Sequence, residues 1–150
     1  MPQKGLPTVT AIIVAAGASR RMGFDKLSYC LPDGRTVLET SCALFAAHPA
    51  VDELVLVAGG NRPQCEAIAA ACPKPCTVVQ GGATRADSVH SGLAAAKGQL
   101  VAIHDAARPF ASEEVITQAL QAAAKTGAAA PAVPVKDTIK VADKDGKVVT

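Results

Sequence analysis

Residues 9–17 read VTAIIVAAG, an apolar run that ends in small residues and a glycine. Continuous runs of this length, rich in β-branched residues and without polar alternation, are typical of strands buried on both faces. Further candidate strands follow at 54–58, 77–80, 100–104, 128–133 and, as one more candidate, 137–141. Strands of this kind belong to parallel sheets that are covered by helices.

Helical patterns separate these runs and predict helices at 36–47, 64–71, 85–96 and 113–126. Ser112 is a plausible N-cap for the last helix, and Gly127 ends it. Strict alternation of strands and helices predicts an α/β fold with a mostly parallel sheet and helices on both faces. Beyond the last helix, Lys144-Asp145-Gly146 predicts a hairpin turn.

Composition limits the partners. The chain of 150 residues carries 15 basic and 13 acidic side chains, a formal charge of +2. A general nucleic-acid binder would have a much larger basic excess, so no nucleic-acid partner is expected. No signal peptide is visible, and no apolar stretch approaches the roughly 20 residues that span a bilayer. We therefore expect a cytoplasmic protein without a membrane partner.

The five cysteines are an odd number with no paired metal-ligand spacing. Reduced thiols in a cytoplasmic protein are the simplest interpretation. Cys42 and Cys65 lie within apolar helical patterns, where cysteine behaves as a small core residue.

Ligands of open α/β sheets bind beyond the carboxyl ends of the strands. The first loop there, residues 15–26, reads AAGASRRMGFDK. Its small residues let backbone N–H groups approach an anion, and Arg20, Arg21 and Lys26 add positive charge beside it. A triphosphate suits this loop; the alternative is a solvent-exposed basic turn. The spacing fits neither a Walker A loop nor a dinucleotide fingerprint.

The second loop, residues 81–89, reads GGATRADSV. Two glycines give close access to the backbone, and the start of the following helix favours negative charge. Arg85 and Ser88 are candidate donors to a base, ribose or phosphate. The alternative is a helix cap that carries surface charges.

The third loop, residues 104–109, reads HDAARP. Asp105 follows a buried strand directly and is well placed to hold Mg²⁺, which ligates carboxylates and substrate phosphates. The alternative is an Asp that caps the next turn, and His104 is interpreted as structural. A fourth segment, 134–140, could meet an acceptor substrate or form an exposed strand.

Five segments carry a family resemblance: AAGASRRMGFDK (15–26), TVLETS (36–41), GGATRADSV (81–89), HDAARPF (104–110) and PVKDTIK (134–140). In order and spacing they resemble the 2-C-methyl-D-erythritol 4-phosphate cytidylyltransferases of the non-mevalonate isoprenoid pathway, over nearly all of the chain. The resemblance implies a Rossmann-like nucleotidyltransferase fold that requires CTP and Mg²⁺. It also implies a homodimer formed through a β-arm, which would begin near Lys140.

The same resemblance implies roles for single residues. Arg21 and Lys26 correspond to catalytic cations at the phosphates, and Asp105 to a metal-linked aspartate. Arg108 and Thr138 correspond to positions at the phosphorylated polyol substrate. The implied nucleotide contacts are Ala15, Ala16, Gly17, Gly82 and Ser88, to which the residue pattern adds Arg85.

Members of the family continue beyond position 150, so the expectation is a single nucleotidyltransferase domain, 1–150, truncated at its C-terminal end. The nearest alternative is a related nucleotidyltransferase that acts on ribitol 5-phosphate, another sugar phosphate or a molybdenum cofactor precursor. A truncated CTP-binding module without activity is an alternative of another class. A nicotinamide dehydrogenase fits less well, because its glycine fingerprint is missing.

Overall fold

A computed structural model describes residues 6–17 and 25–149 of the chain. Four strands and four helices alternate along these residues. Their bounds are β1 Val9–Ala15, α1 Val37–Ala47, β2 Glu53–Ala58, α2 Arg62–Ala71, β3 Cys76–Gln80, α3 Arg85–Ala95, β4 Leu100–Asp105 and α4 Glu113–Thr126. The predicted elements up to α4 are confirmed, with bounds that differ by one or two residues.

The four strands form one parallel sheet in the order β3-β2-β1-β4. In its register, Ile12 of β1 is paired with Val55 of β2 on one side and with Ile103 of β4 on the other. Since all strands run in the same direction, their carboxyl ends lie along one edge. The loops that carry the candidate residues therefore leave the sheet on the same side.

Helices cover both faces of the sheet, as predicted. Alternate residues such as Ile13 and Leu56 pack with α1, α2 and α4 in the larger apolar cluster. The opposite face buries Ile12 beneath α3. At Gly92 of α3, an added Cβ would lie 2.5 Å from Ile12 Cγ2. Glycine at this position thus lets α3 lie close on the sheet.

Caps explain where the helices begin and end. Thr36 and Thr84 form capping boxes with Glu39 and Asp87, each satisfying backbone donors at both positions. Ser112 Oγ accepts from Val115 N at 3.2 Å, which confirms the predicted cap of α4. Gly127 ends α4 in the left-handed conformation, with φ +89°.

The segment after α4 differs from the prediction. Residues 128–133 and 137–141 were predicted as strands, but both are exposed and non-regular. Residues 128–133 are apolar but consist mainly of Ala with Pro131, and both residue types are depleted in strands. A strand also needs a neighbour for its backbone groups. The hairpin turn is present: Ala142 and Val148 form an antiparallel bridge, and Gly146 has φ +80°.

The structure also shows the surroundings of two cysteines and the character of the helices. Cys42 and Cys65 are buried, as predicted, and burial raises the pKa of both thiols. Within the described residues no helix combines the length and apolar character that a membrane crossing requires.

Candidate functional site

The ends of β1, β2 and β3 converge on Ala16. A Cβ added at Gly59 would lie 2.7 Å from the Ala16 carbonyl oxygen, and one added at Gly81 would collide with the Ala16 side chain. Real Cβ atoms do not approach other atoms this closely, so both positions require glycine for packing. The first and second predicted loops therefore meet at the carboxyl edge of the sheet.

Hydrogen bonds within the second loop hold its glycines. Gly81 N–H donates to the Ala58 carbonyl at 2.8 Å, and Gly82 N–H donates to Ser88 Oγ at 3.2 Å. Ser88 is buried and donates its own hydroxyl proton to the Thr84 carbonyl at 3.0 Å. Ser88 thus supports the loop from below, and its contact with a nucleotide remains a prediction.

The second and third loops meet through an ion pair. Arg85 donates from Nη2 to Asp105 Oδ1 at 2.8 Å, and Arg108 Nε lies 3.5 Å from Asp105 Oδ2. The hydrogen bond from Arg85 lowers the pKa of the Asp105 carboxyl against a partial desolvation. Asp105 is therefore a carboxylate at neutral pH, flanked by two exposed guanidinium groups that can turn toward an anionic ligand.

His104 holds the third loop from inside, in agreement with its structural interpretation. Its Nε2 lies 2.9 Å from the Arg108 carbonyl oxygen, and its ring packs on Phe45 with centroids 4.8 Å apart. Burial lowers the pKa of His104, which favours the neutral ring. Since a carbonyl can only accept, Nε2 carries the proton in this contact.

The segment that carries Lys26 lies against the first turn of α1. Leu27 is buried, its carbonyl accepts from Leu38 N at 3.1 Å, and its N–H donates to Asp25 Oδ1 at 3.1 Å. One turn further along α1, Ser41 Oγ donates to the Ala106 carbonyl at 2.7 Å, next to Asp105. A parallel βα unit begins its helix at the carboxyl edge, so Lys26 lies on the same side as Asp105.

The described residues do not test the roles predicted for Arg21 and Thr138. Arg21 falls between the described ranges 6–17 and 25–149. Thr138 lies in the exposed segment after α4, and no hydrogen bond in the described chain joins it to the loops. Their assigned roles remain predictions.

A groove of about 730 Å³ runs from the ion-pair cluster along the outer edge of β4. Apolar side chains from β4 and α4 dominate its walls, among them Ile103, Val115 and Leu120. Arg85, Asp105 and Arg108 form its polar end. The groove is thus an apolar channel that opens onto the charged cluster.

The side chains at this edge suit a metal ion that is bound mainly by the phosphates of a substrate. Among the described residues, no group of three or more His, Cys, Asp or Glu side chains is arranged around one point. A protein-only cage is therefore absent from this part of the chain. Mg²⁺ is commonly bound by one or two carboxylates together with substrate phosphates, and Asp105 alone meets that requirement.

Sequence reasoning missed two supporting residues. Ser41 lies within the predicted helix 36–47, and its hydroxyl ties α1 to the third loop, which the helical pattern does not indicate. Asn61 was not considered; its side chain joins the ends of β1 and β2. The available signal for Asn61 was its position directly after the glycines that close the second strand.

The parallel sheet, the glycine-lined strand ends and the charged cluster at one edge define an open α/β protein whose candidate ligand site lies at the carboxyl edge of the sheet. The family model described as 2-C-methyl-D-erythritol 4-phosphate cytidylyltransferase matches residues 9–150. The chain belongs to this family.

Similar proteins support the assignment. A 2-C-methyl-D-erythritol 4-phosphate cytidylyltransferase of Symbiobacterium thermophilum is 44% identical over 144 residues, covering 94% of this chain and 61% of that protein. A bifunctional enzyme IspD/IspF of Anaeromyxobacter dehalogenans is 44% identical over 141 residues, 93% of this chain and 36% of that protein. The chain thus spans less than two thirds of these relatives.

A solved structure agrees in fold. The 4-diphosphocytidyl-2C-methyl-D-erythritol synthase of Anaerococcus prevotii superposes with a TM-score of 0.75 at 31% identity, covering 95% of this chain and 62% of that one. The expected Rossmann-like nucleotidyltransferase fold is confirmed.

Proposed function

We propose that this chain is the nucleotide-binding part of a cytidylyltransferase that transfers CMP from CTP to 2-C-methyl-D-erythritol 4-phosphate. A phosphate oxygen of the acceptor attacks the α-phosphorus of CTP in line. A new phosphorus–oxygen bond forms, the bond from the α-phosphorus to the bridging oxygen breaks, and pyrophosphate leaves.

The observation that carries the proposal is the meeting of three loops at one edge. Ala16 is packed between Gly59 and Gly81, and Arg85 is bonded to Asp105 across the second and third loops. Ala15, Ala16, Gly17 and Gly82 would contact the nucleotide, as the family resemblance implies. Family membership and the names of the relatives supply the choice of CTP and of the acceptor.

Charge stabilisation and positioning would carry the rate, since phosphoryl transfer demands little covalent work of the protein. Lys26 and Arg21 would neutralise the charge that develops on the transferring and leaving phosphates. Arg108 and Thr138 would position the acceptor. Arg85 would exchange its bond to Asp105 for a contact with the nucleotide.

Mg²⁺ is the cofactor that we propose, with Asp105 as its ligand from this part of the chain. When bound, the ion neutralises phosphate charge and orients the triphosphate. The lowered pKa of Asp105 supports this role, because the carboxylate is available as a ligand at neutral pH. We also propose a homodimer and a cytoplasmic location, without nucleic-acid or membrane partners.

The test is an assay of the chain with CTP and Mg²⁺, offering either 2-C-methyl-D-erythritol 4-phosphate or ribitol 5-phosphate as the acceptor. Pyrophosphate release with the first acceptor alone supports the proposal. Release with ribitol 5-phosphate alone assigns the related transferase. CTP binding by calorimetry without release from either acceptor indicates a binding module, and absence of CTP binding contradicts the proposal.

Lys26→Ala is expected to lower kcat by roughly 10²–10³ while CTP binding remains measurable, because a preorganised cation acts mainly on the transition state. The measurement is turnover by pyrophosphate release together with CTP calorimetry. Lys125→Ala at the far end of α4 is the matched control and should keep the turnover of the unsubstituted chain. Normal turnover in Lys26→Ala would remove this residue from the mechanism.

A further inference from the structure

Asn61 occupies the N-cap of α2 but does not cap it. An Asn at this position ordinarily accepts a hydrogen bond from the second or third N–H of its helix. Here the side chain makes no such bond, and the backbone has φ −91° and ψ 19° instead of an extended conformation. Pro63, near the helix start, has no N–H to offer. The side chain is therefore available for another task.

That task is a bridge between two strand ends. Asn61 Oδ1 accepts from Gly59 N–H at 3.0 Å, and Asn61 Nδ2 donates to the Ala15 carbonyl at 3.2 Å. The amide orientation is fixed by chemistry, since an N–H can only donate and a carbonyl can only accept. One planar side chain thus sets the distance between the last residue of β1 and the first residue after β2.

The bridge lies at the start of the first loop, at Ala15. Ala15 is buried, whereas Gly17, two residues later, is exposed. The Ala15 carbonyl and the Ala16 N–H belong to the same peptide unit, so a partner that holds the carbonyl also fixes the direction of the N–H. Packing of Ala16 against Gly59 and Gly81 leaves this peptide little room to rotate.

We propose that Asn61 is a positioning residue for the nucleotide: it holds the Ala15–Ala16 peptide so that the Ala16 N–H faces the phosphates of the ligand. This inference rests on the proposed function for the identity of that ligand. Asn61 itself does not touch the nucleotide, and its effect passes through the backbone.

Three variants separate positioning from helix capping. Asn61→Ala removes the bridge. Asn61→Ser also removes it but supplies a good N-cap, so it would restore a function that depended on the helix start. Glu66→Ala is the matched control, because Glu66 is exposed on the same helix and pairs with Arg62 at 2.8 Å, away from the two strand ends.

The first readout is affinity. Asn61→Ala and Asn61→Ser should each weaken CTP binding on the order of tenfold, as expected for misplaced donors. Cytidine, which has no phosphates, should bind all three variants and the unsubstituted chain alike, measured by ligand-observed NMR. Wild-type CTP affinity in Asn61→Ala, or its restoration in Asn61→Ser, would overturn the proposal, as would equal losses for CTP and cytidine.

The second readout needs no ligand. Hydrogen exchange followed by mass spectrometry should show faster exchange for peptides spanning 9–17 and 53–60 in both Asn61 variants, and no change there in Glu66→Ala. Unchanged exchange would overturn the proposal even if CTP affinity fell. A chain that does not bind CTP at all would contradict the proposed function, and hydrogen exchange would still decide whether Asn61 holds the loop.

Discussion

Ile12 and Ile103 are the same residue type and are paired on neighbouring strands of the sheet, yet their surroundings differ. They are paired in register on β1 and β4, so both side chains point to the face that α3 covers. Ile12 is 0% exposed, whereas Ile103 is 45% exposed. Covering by α3 thus reaches the middle of the sheet but not its β4 edge.

The same division separates the two halves of the molecule. Around β1, β2 and β3, strand ends pack so closely that glycines are required where they meet. In the segments that follow β4 and α4, the large apolar side chains of Phe110 and Val133 are more than 80% exposed. The difference shows that similar apolar side chains contribute differently to folding stability, according to how much of their surface other residues cover.

Replacing the paired isoleucines should give the largest effect. Ile12→Ala is expected to lower the free energy of unfolding by about 2–5 kcal/mol, because it opens a cavity in a closed core. Ile103→Ala should cost roughly 1 kcal/mol, since about half of this side chain already meets water. Urea unfolding of both variants measures the difference. Equal losses would mean that the β4 edge is covered in solution.

Gly59→Ala tests the packed strand ends. Its new Cβ would meet the Ala16 backbone at 2.7 Å, and a backbone cannot give way as a flexible side chain does. We expect a loss of roughly 1–3 kcal/mol in unfolding free energy. Gly60→Ala is the control, because nothing lies within 4 Å of its added Cβ. A neutral Gly59→Ala would show that the loops are looser than the packing indicates.

The smallest change in unfolding free energy is expected for a substitution of His104, on the edge strand β4. Its pKa in the folded chain lies below the ordinary value of 6.5, so the unfolded state binds more protons near that pH. The stabilising contribution is complete above pH 6.5 and is lost as the pH falls through the folded pKa. His104→Gln should therefore flatten the decline of unfolding free energy between pH 7 and pH 5.

Urea unfolding at several pH values measures that decline. The carboxyls with lowered pKa, such as that of Asp105, take up protons at lower pH, below about 4. They do not disturb the window that reports on His104. Parallel profiles for His104→Gln and the unsubstituted chain would contradict the assignment of the slope to this side chain.

The candidate site was predictable in part. Asp105 is predicted because a carboxylate directly after a buried strand is costly without a purpose, and Arg85 because it is a candidate donor in the second loop. The structure joins the two in an ion pair. Ser88 also stood out, but its hydroxyl supports the loop. Asn61 was not found, because an Asn before a helix usually signals a cap. Sequence spacing shows which residue types are present, not which distant backbone groups they reach.

Up to the end of α4, the sequence by itself determined the alternation of strands and helices, since apolar period and caps act over a few neighbouring residues. Only the tertiary structure decided that 128–133, an apolar segment, forms no strand. It also decided that Ile12 is buried and Ile103 is not. The physical reason is that pairing and burial depend on residues remote in the chain, whose positions no local pattern specifies.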